Sequence, residues 1–344
     1  MLFMSDRILL VRPDRMGDVV LTSACLFPLR AAYPDAQIYF CIQPLYHCLY
    51  EEMDVLDGVW DASMSEDDLS SKMREYDINV IIFLHPYRRF ENASKRAGVA
   101  LRVGFVDNKR DLTSLTHPIL SRKHLGLKHE AAYSFDLLKV LNISCPDVLA
   151  PLCHPHRGAK DKVDALMNAG RLALHYAVMH LGAHAGKPRL PTSYYISVSE
   201  SLFKQGIQVV LIGVDKEDSS ILDFLEKVKA PEGLLLSLIG KLELAELAWL
   251  LNSAAVYFSR DTGPAHLAAA MGCPTVTVIP NPTKKTSAKR WHPLGPSSIC
   301  IEKEYFHFDF EDNSRLARRH LKKVSQEEVV NAVLKVMRGR AVSR

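Results

Sequence analysis

The chain is poor in the features that mark specialised classes of protein. Its seven cysteines, Cys25, Cys41, Cys48, Cys145, Cys153, Cys273 and Cys300, are odd in number and never spaced Cys-x-x-Cys. That excludes a disulfide framework and predicts buried thiols in a reducing compartment. Lys and Arg exceed Asp and Glu by only 43 to 39 in 344 residues, too slight an excess to imply a nucleic-acid partner. No apolar run suits a membrane span, and the N-terminus lacks the apolar core of a signal peptide. His85, His117, His124 and His129 are not spaced with cysteines or acids as metal ligands are. No Asp-x-Asp pair stands where a metal–diphosphate complex would be held, so no metal is expected. The three spaced glycines of a dinucleotide fingerprint are also missing. An ordinary globular composition remains, 48% hydrophobic and 24% charged, on a chain long enough for two domains.

What is present is a steady alternation of short apolar runs and helical periodicity. Residues 8–11, 37–42, 79–84 and 101–106 read as strands of one parallel sheet, and 174–181, 207–213, 234–239, 255–258 and 275–279 as strands of another. Helical spacing runs from residue 18 to Pro34 and recurs over 130–141, 194–205, 220–228, 243–251, 264–271 and 325–337. The acidic segment 63–68 reads as solvated surface, and the basic, aperiodic segment 109–129 as a loop. Three prolines between residues 142 and 155 mark a linker. The expected fold class is therefore α/β: two doubly wound, Rossmann-like domains, 1–155 and 156–344, with the last helix a candidate to pack back on the first domain.

Two strand-to-helix corners carry the chemistry. In the first, strand 8–11 delivers the chain to Arg12-Pro13-Asp14-Arg15-Met16-Gly17-Asp18. Gly17 permits close backbone approach, and Asp18 opens the helix. As a helix N-cap Asp18 would need no chemistry; as a carboxylate at a strand tip it is a candidate general base. Arg15, His85 at the end of strand 79–84, and Arg110, Arg122 and Lys123 in the basic loop are candidates to line the site and meet an anionic second substrate. In the second corner, Asp261-Thr262-Gly263-Pro264 turns a buried strand into the helix that carries His266. Free N–H groups at that helix start suit a phosphate. Lys187 and Arg189 in the small-residue turn 182–191, and the basic loop from Lys284 to Arg290, add positive charge. A cleft between the domains would hold a nucleotide diphosphate on the second and the other substrate on the first.

Arg15-Met16-Gly17-Asp18 followed by Leu21 and Pro28, with Asp261-Thr262-Gly263-Pro264-Ala265-His266 and Ala268-Ala269-Ala270-Met271-Gly272 in the distal half, resembles glycosyltransferase family nine, the lipopolysaccharide heptosyltransferases, across residues 7–295. The resemblance implies a GT-B fold, two Rossmann-like domains facing across a cleft. It also implies metal-independent, inverting transfer of heptose from ADP-heptose, a donor substrate rather than a cofactor, to the inner core of lipopolysaccharide. By that similarity Asp18 stands at the general base, while Thr262, Gly263 and His266 stand in the donor motif and Asp261 at an acid that holds the sugar or orders the corner. The chain departs from the pattern where the family usually has a lysine ahead of a Trp-Pro pair: Pro188 and Leu190 occupy those positions, leaving Lys187 or Arg189 to reach the phosphate. The expected partners are a nucleotide sugar and a phosphorylated or acidic glycolipid. The basic run 315–323 adds weak, salt-sensitive contact with the inner leaflet of a cytoplasmic enzyme peripheral at the inner membrane. The alternatives are a same-fold glycosyltransferase using another nucleotide sugar, and a non-enzymatic nucleotide-binding or export interaction module.

Overall fold

The computed structural model describes residues 6–106, 113–182, 189–279, 283, 285–302 and 324–341. The chain divides into two compact units, Met1–His156 and Arg157–Arg344. The first contains strands β1 (Arg7–Val11), β2 (Gln37–Ile42), β3 (Gly58–Asp61), β4 (Val80–Phe83), β5 (Leu101–Val106) and β6 (His117–Leu120), with helices α1 (Met16–Thr22), α2 (Leu26–Ala32), α3 (Glu66–Glu75), α4 (Arg88–Ala97) and α5 (Glu130–Leu138). The second contains β7 (Tyr176–His180), β8 (Gln208–Ile212), β9 (Leu235–Ser237), β10 (Val256–Arg260), β11 (Thr275–Val278) and β12 (Ser298–Ile301). Its helices are α6 (Lys160–Asn168), α7 (Thr192–Phe203), α8 (Ser219–Lys227), α9 (Leu244–Ser253), α10 (Gly263–Ala270), α11 (Ala288–Trp291) and α12 (Gln326–Ala341).

Each unit holds one six-stranded sheet, in the orders β3-β2-β1-β4-β5-β6 and β12-β11-β10-β7-β8-β9. Every pairing is parallel. The two orders are the same topology written from opposite edges. In each, the chain winds one way from its first strand and then reverses, leaving a switch point between β1 and β4 and another between β7 and β10.

The central strands are apolar on both faces because helices cover both. Ile8, Leu9, Leu10 and Val11 are wholly buried beside Val80, Ile81, Ile82 and Phe83. Leu9, Val11, Ile81 and Phe83 pack with Leu69, Met73, Phe90 and Ala93 of α3 and α4. In the second unit Val256 and Phe258 pack with Tyr195, Val198 and Leu202 of α7. The apolar stripe of α12, Val329, Val333 and Val336, enters this same core, so the face expected to turn back on the first domain is buried against the second unit's own sheet.

Three further expectations change. The acidic segment is the start of α3: Ser65 accepts from the Asp68 N–H at 3.1 Å, and Glu66, Asp67 and Asp68 fill the first turn, where the helix dipole favours them. The basic loop contains β6, which pairs with β5 from Val103↔His117 to Val106↔Leu120; Pro118 is tolerated because the strand is at an edge. The sheets also gain β3 and β12, both edge strands of four residues. Among the described residues no helix is long and apolar enough to cross a membrane.

Candidate functional site

The first corner is organised by a residue that the sequence alone does not single out. Arg12 directly follows β1, its N–H donates to the Cys41 carbonyl at 2.9 Å, and its side chain is 1% exposed. Its guanidinium donates from Nε to Asp14 Oδ1 at 2.8 Å, from Nη2 to Asp18 Oδ1 at 2.6 Å and from Nη1 to the Leu84 carbonyl at 2.8 Å. Glu130 Oε1, on α5, lies 3.5 Å from Nη2 and accepts from Lys123 Nζ at 2.7 Å. Burial works against the charge on Arg12, but the three carboxylates outweigh it and hold the pKa above its ordinary value. Burial lifts the Asp14 carboxyl above its usual range; Arg12 opposes the shift and Asp18 adds to it.

Asp18 is not an N-cap. That position belongs to Arg15, and Asp18 sits within the first turn of α1. Its Oδ1 is fixed by Arg12 while its side chain keeps 18% exposure, so one carboxylate oxygen is anchored and the other stays available. Two cations, Arg12 and Lys123, face three carboxylates, Asp14, Asp18 and Glu130; with all ionised, the cluster has a surplus negative charge and can accept a proton.

Around this cluster, Gly17 is buried, while Arg15, His85 and Arg122 are exposed. The His85 ring lies 5.0 Å from that of Tyr87. Lys123, expected among the acceptor cations, turns inward to Glu130 with its ammonium 4.8 Å over the Phe105 ring. Arg110 lies outside the described residues.

The second corner lies where β10 meets α10. Thr262 is extended at the N-cap position and its side chain does not cap the helix; its hydroxyl instead lies 3.3 Å from Ser259 Oγ and 3.4 Å from the Tyr257 hydroxyl. Gly263 and Pro264 open α10. Asp261 donates its N–H to the Val278 carbonyl at 3.1 Å, and its Oδ1 lies 3.5 Å from His266 Nε2. His266 is 4% exposed, with Nδ1 unpartnered.

Arg189, a candidate for the phosphate, is engaged elsewhere. Its guanidinium pairs with Asp218, the residue that caps α8, and reaches Ser220 Oγ at 2.7 Å. Burial would raise the Asp218 carboxyl, but Arg189 and backbone donors keep it below its ordinary range. Lys187 and Lys284 lie outside the described residues. Among the described residues, no three His, Cys, Asp or Glu side chains gather as a metal site would need.

Both corners thus lie at the carboxyl ends of strands, each at the switch point of its sheet, where open α/β sheets bind ligands. Two Rossmann-like units with wholly parallel sheets define a GT-B-like fold, a fold class to which glycosyltransferases belong. The chain belongs to glycosyltransferase family 9 (heptosyltransferase), whose family model matches residues 95–318. It is 22% identical over 294 residues to lipopolysaccharide heptosyltransferase 2 of Salmonella typhimurium, covering 79% of this chain and 82% of that one. The fold is similar to that of a family 9 glycosyltransferase from Veillonella parvula, with a TM-score of 0.82 at 18% identity and 98% of each chain covered. It is likewise similar to the E. coli ADP-heptose lipopolysaccharide heptosyltransferase II, with a TM-score of 0.78 at 19% identity over 97% of this chain and 99% of that one.

Proposed function

We propose that this glycosyltransferase moves heptose from ADP-heptose to the inner core of lipopolysaccharide with inversion at the anomeric carbon. The first unit takes the glycolipid acceptor and the second takes the donor. The observation that carries the reading is the Asp18 carboxylate, fixed at one oxygen by a buried arginine and accessible at the other. Its family membership and the named activities of its relatives supply the donor and acceptor classes.

In this mechanism an acceptor hydroxyl attacks the anomeric carbon while Asp18 removes its proton. The new glycosidic C–O bond forms as the bond from that carbon to the β-phosphate oxygen breaks, and the electron pair leaves on ADP. Arg12 keeps the carboxylate in register with the hydroxyl. In the second unit the start of α10, which has no side-chain cap, stabilises the charge that grows on the diphosphate. A glycolipid acceptor brings the enzyme to the cytoplasmic face of the inner membrane.

The test is incubation of the chain with ADP-heptose and a panel of truncated core acceptors, with products read by mass. A gain of one heptose is expected. Transfer only from a UDP- or GDP-sugar would move the protein to another donor class, and no transfer from any of them would favour a binding module.

A further inference from the structure

Arg260, the last residue of β10, is 7% exposed, and its Nε has no hydrogen-bond partner. Among the described residues no carboxylate pairs with it. Burial holds the guanidinium below its ordinary pKa, and the field of Asp261 only partly offsets this. The Asp261 carboxylate itself is directed to His266. Arg12 makes the contrast within one molecule: it is buried more deeply still, but it is met by three carboxylates and a carbonyl. A guanidinium taken out of water without such partners is held at a desolvation penalty, which an incoming anion would relieve.

On β7, His180 lies in register with Ser259, and its Nδ1 is unpartnered. Burial, followed by the field of Arg260, pushes its pKa down to about 4, so the ring is neutral. A Cβ at Gly182 would lie 3.0 Å from His180 Nε2, a tight contact, so the backbone leaving β7 passes close over the imidazole. At the other side stand the start of α10, with no side-chain cap, and the unpartnered Nδ1 of buried His266. Buried nitrogens without partners thus occur on three elements that meet at this switch point, and that of Arg260 belongs to a full positive charge.

We propose that Arg260 is the cation that grips the diphosphate of the nucleotide sugar. The assignment rests on the donor reading above. It also accounts for Arg189 being committed to Asp218. The planar guanidinium can hold two phosphate oxygens at once, which an ammonium cannot.

The test is calorimetric titration of the full chain with ADP and with inorganic pyrophosphate. Arg260→Met is expected to weaken both about 10- to 100-fold, the range of a charge-assisted hydrogen bond. It should leave the thermal stability of the ligand-free protein unchanged or raised, because an uncompensated charge has been removed. Arg260→Lys should fall between Met and wild type. Wild-type affinity for both ligands in a folded Arg260→Met variant overturns the assignment, and if that variant does not fold, unchanged affinity in Arg260→Lys does the same. Binding of pyrophosphate but not ADP, lost on substitution, would keep Arg260 as the anion site and remove the nucleotide-sugar reading. A wild-type chain that binds neither would remove both.

Discussion

At the scale of the residue, Asp18 and Arg12 make separable predictions. Asp18→Asn keeps an acceptor oxygen for the Arg12 guanidinium, so the corner should survive while proton removal fails. Turnover is expected to fall by about a hundredfold to ten-thousandfold, with ADP affinity unchanged. Near-normal turnover would take Asp18 out of the base role. Arg12→Met removes a buried cation from Glu130 and strands Asp14 and Asp18, and it should destabilise the protein by about 3–5 kcal/mol in urea denaturation. His180 supplies a pH signature. Its pKa is about 4 folded against 6.5 ordinarily, so between those values the unfolded chain holds the extra proton and stability drops as pH drops. The slope is at most about 1.4 kcal/mol per pH unit. It should be absent from His180→Asn when the two chains are compared from pH 7 to pH 4, and parallel curves would refute it. Arg12 and Arg260 escape a reading of the sequence for the same reason. Arginine is ordinarily a surface residue, and only the structure shows that each continues a buried strand into a corner without reaching solvent.

At the scale of the element, legibility follows position in the sheet. The inner strands β1, β4, β7 and β10 are covered on both faces and read as continuous apolar runs, so their existence, and with it the place of both corners, is evident from sequence. Of the four edge strands, β3, β6 and β12 are short, half-covered and not evident as strands, whereas β9 shows itself as the apolar run 234–239. β6, with Pro118 and exposed His117 and Leu120, has the composition of a loop, and only pairing with β5 makes it a strand. Helix α12 shows the opposite limit: its stripe is legible as apolar, but periodicity does not say which surface covers it. Since that surface is the second sheet, Val333→Ala, which empties a site that is 1% exposed, should lower stability by about 2 kcal/mol. Thermal denaturation unchanged by this substitution would mean that α12 contributes little to the second core.

At the scale of the whole molecule, the two units have separate sheets and separate cores, which predicts that they unfold separately. The distribution of tryptophan makes this measurable, because Trp60 is the sole tryptophan of the first unit while Trp249 and Trp291 belong to the second. A chain carrying Trp60→Phe reports on the second unit by fluorescence, and one carrying Trp249→Phe and Trp291→Phe reports on the first. If the donor binds only in the second unit, ADP at a hundred times its dissociation constant should stabilise that unit by about 2.7 kcal/mol and move only the transition seen with Trp60→Phe. The transition reported by Trp60 should stay in place, because ligand linkage acts only on the folding equilibrium to which the ligand binds. Movement of the Trp60 signal alone would assign the nucleotide to the wrong sheet. Two signals that coincide and move together would show that the units unfold as one body.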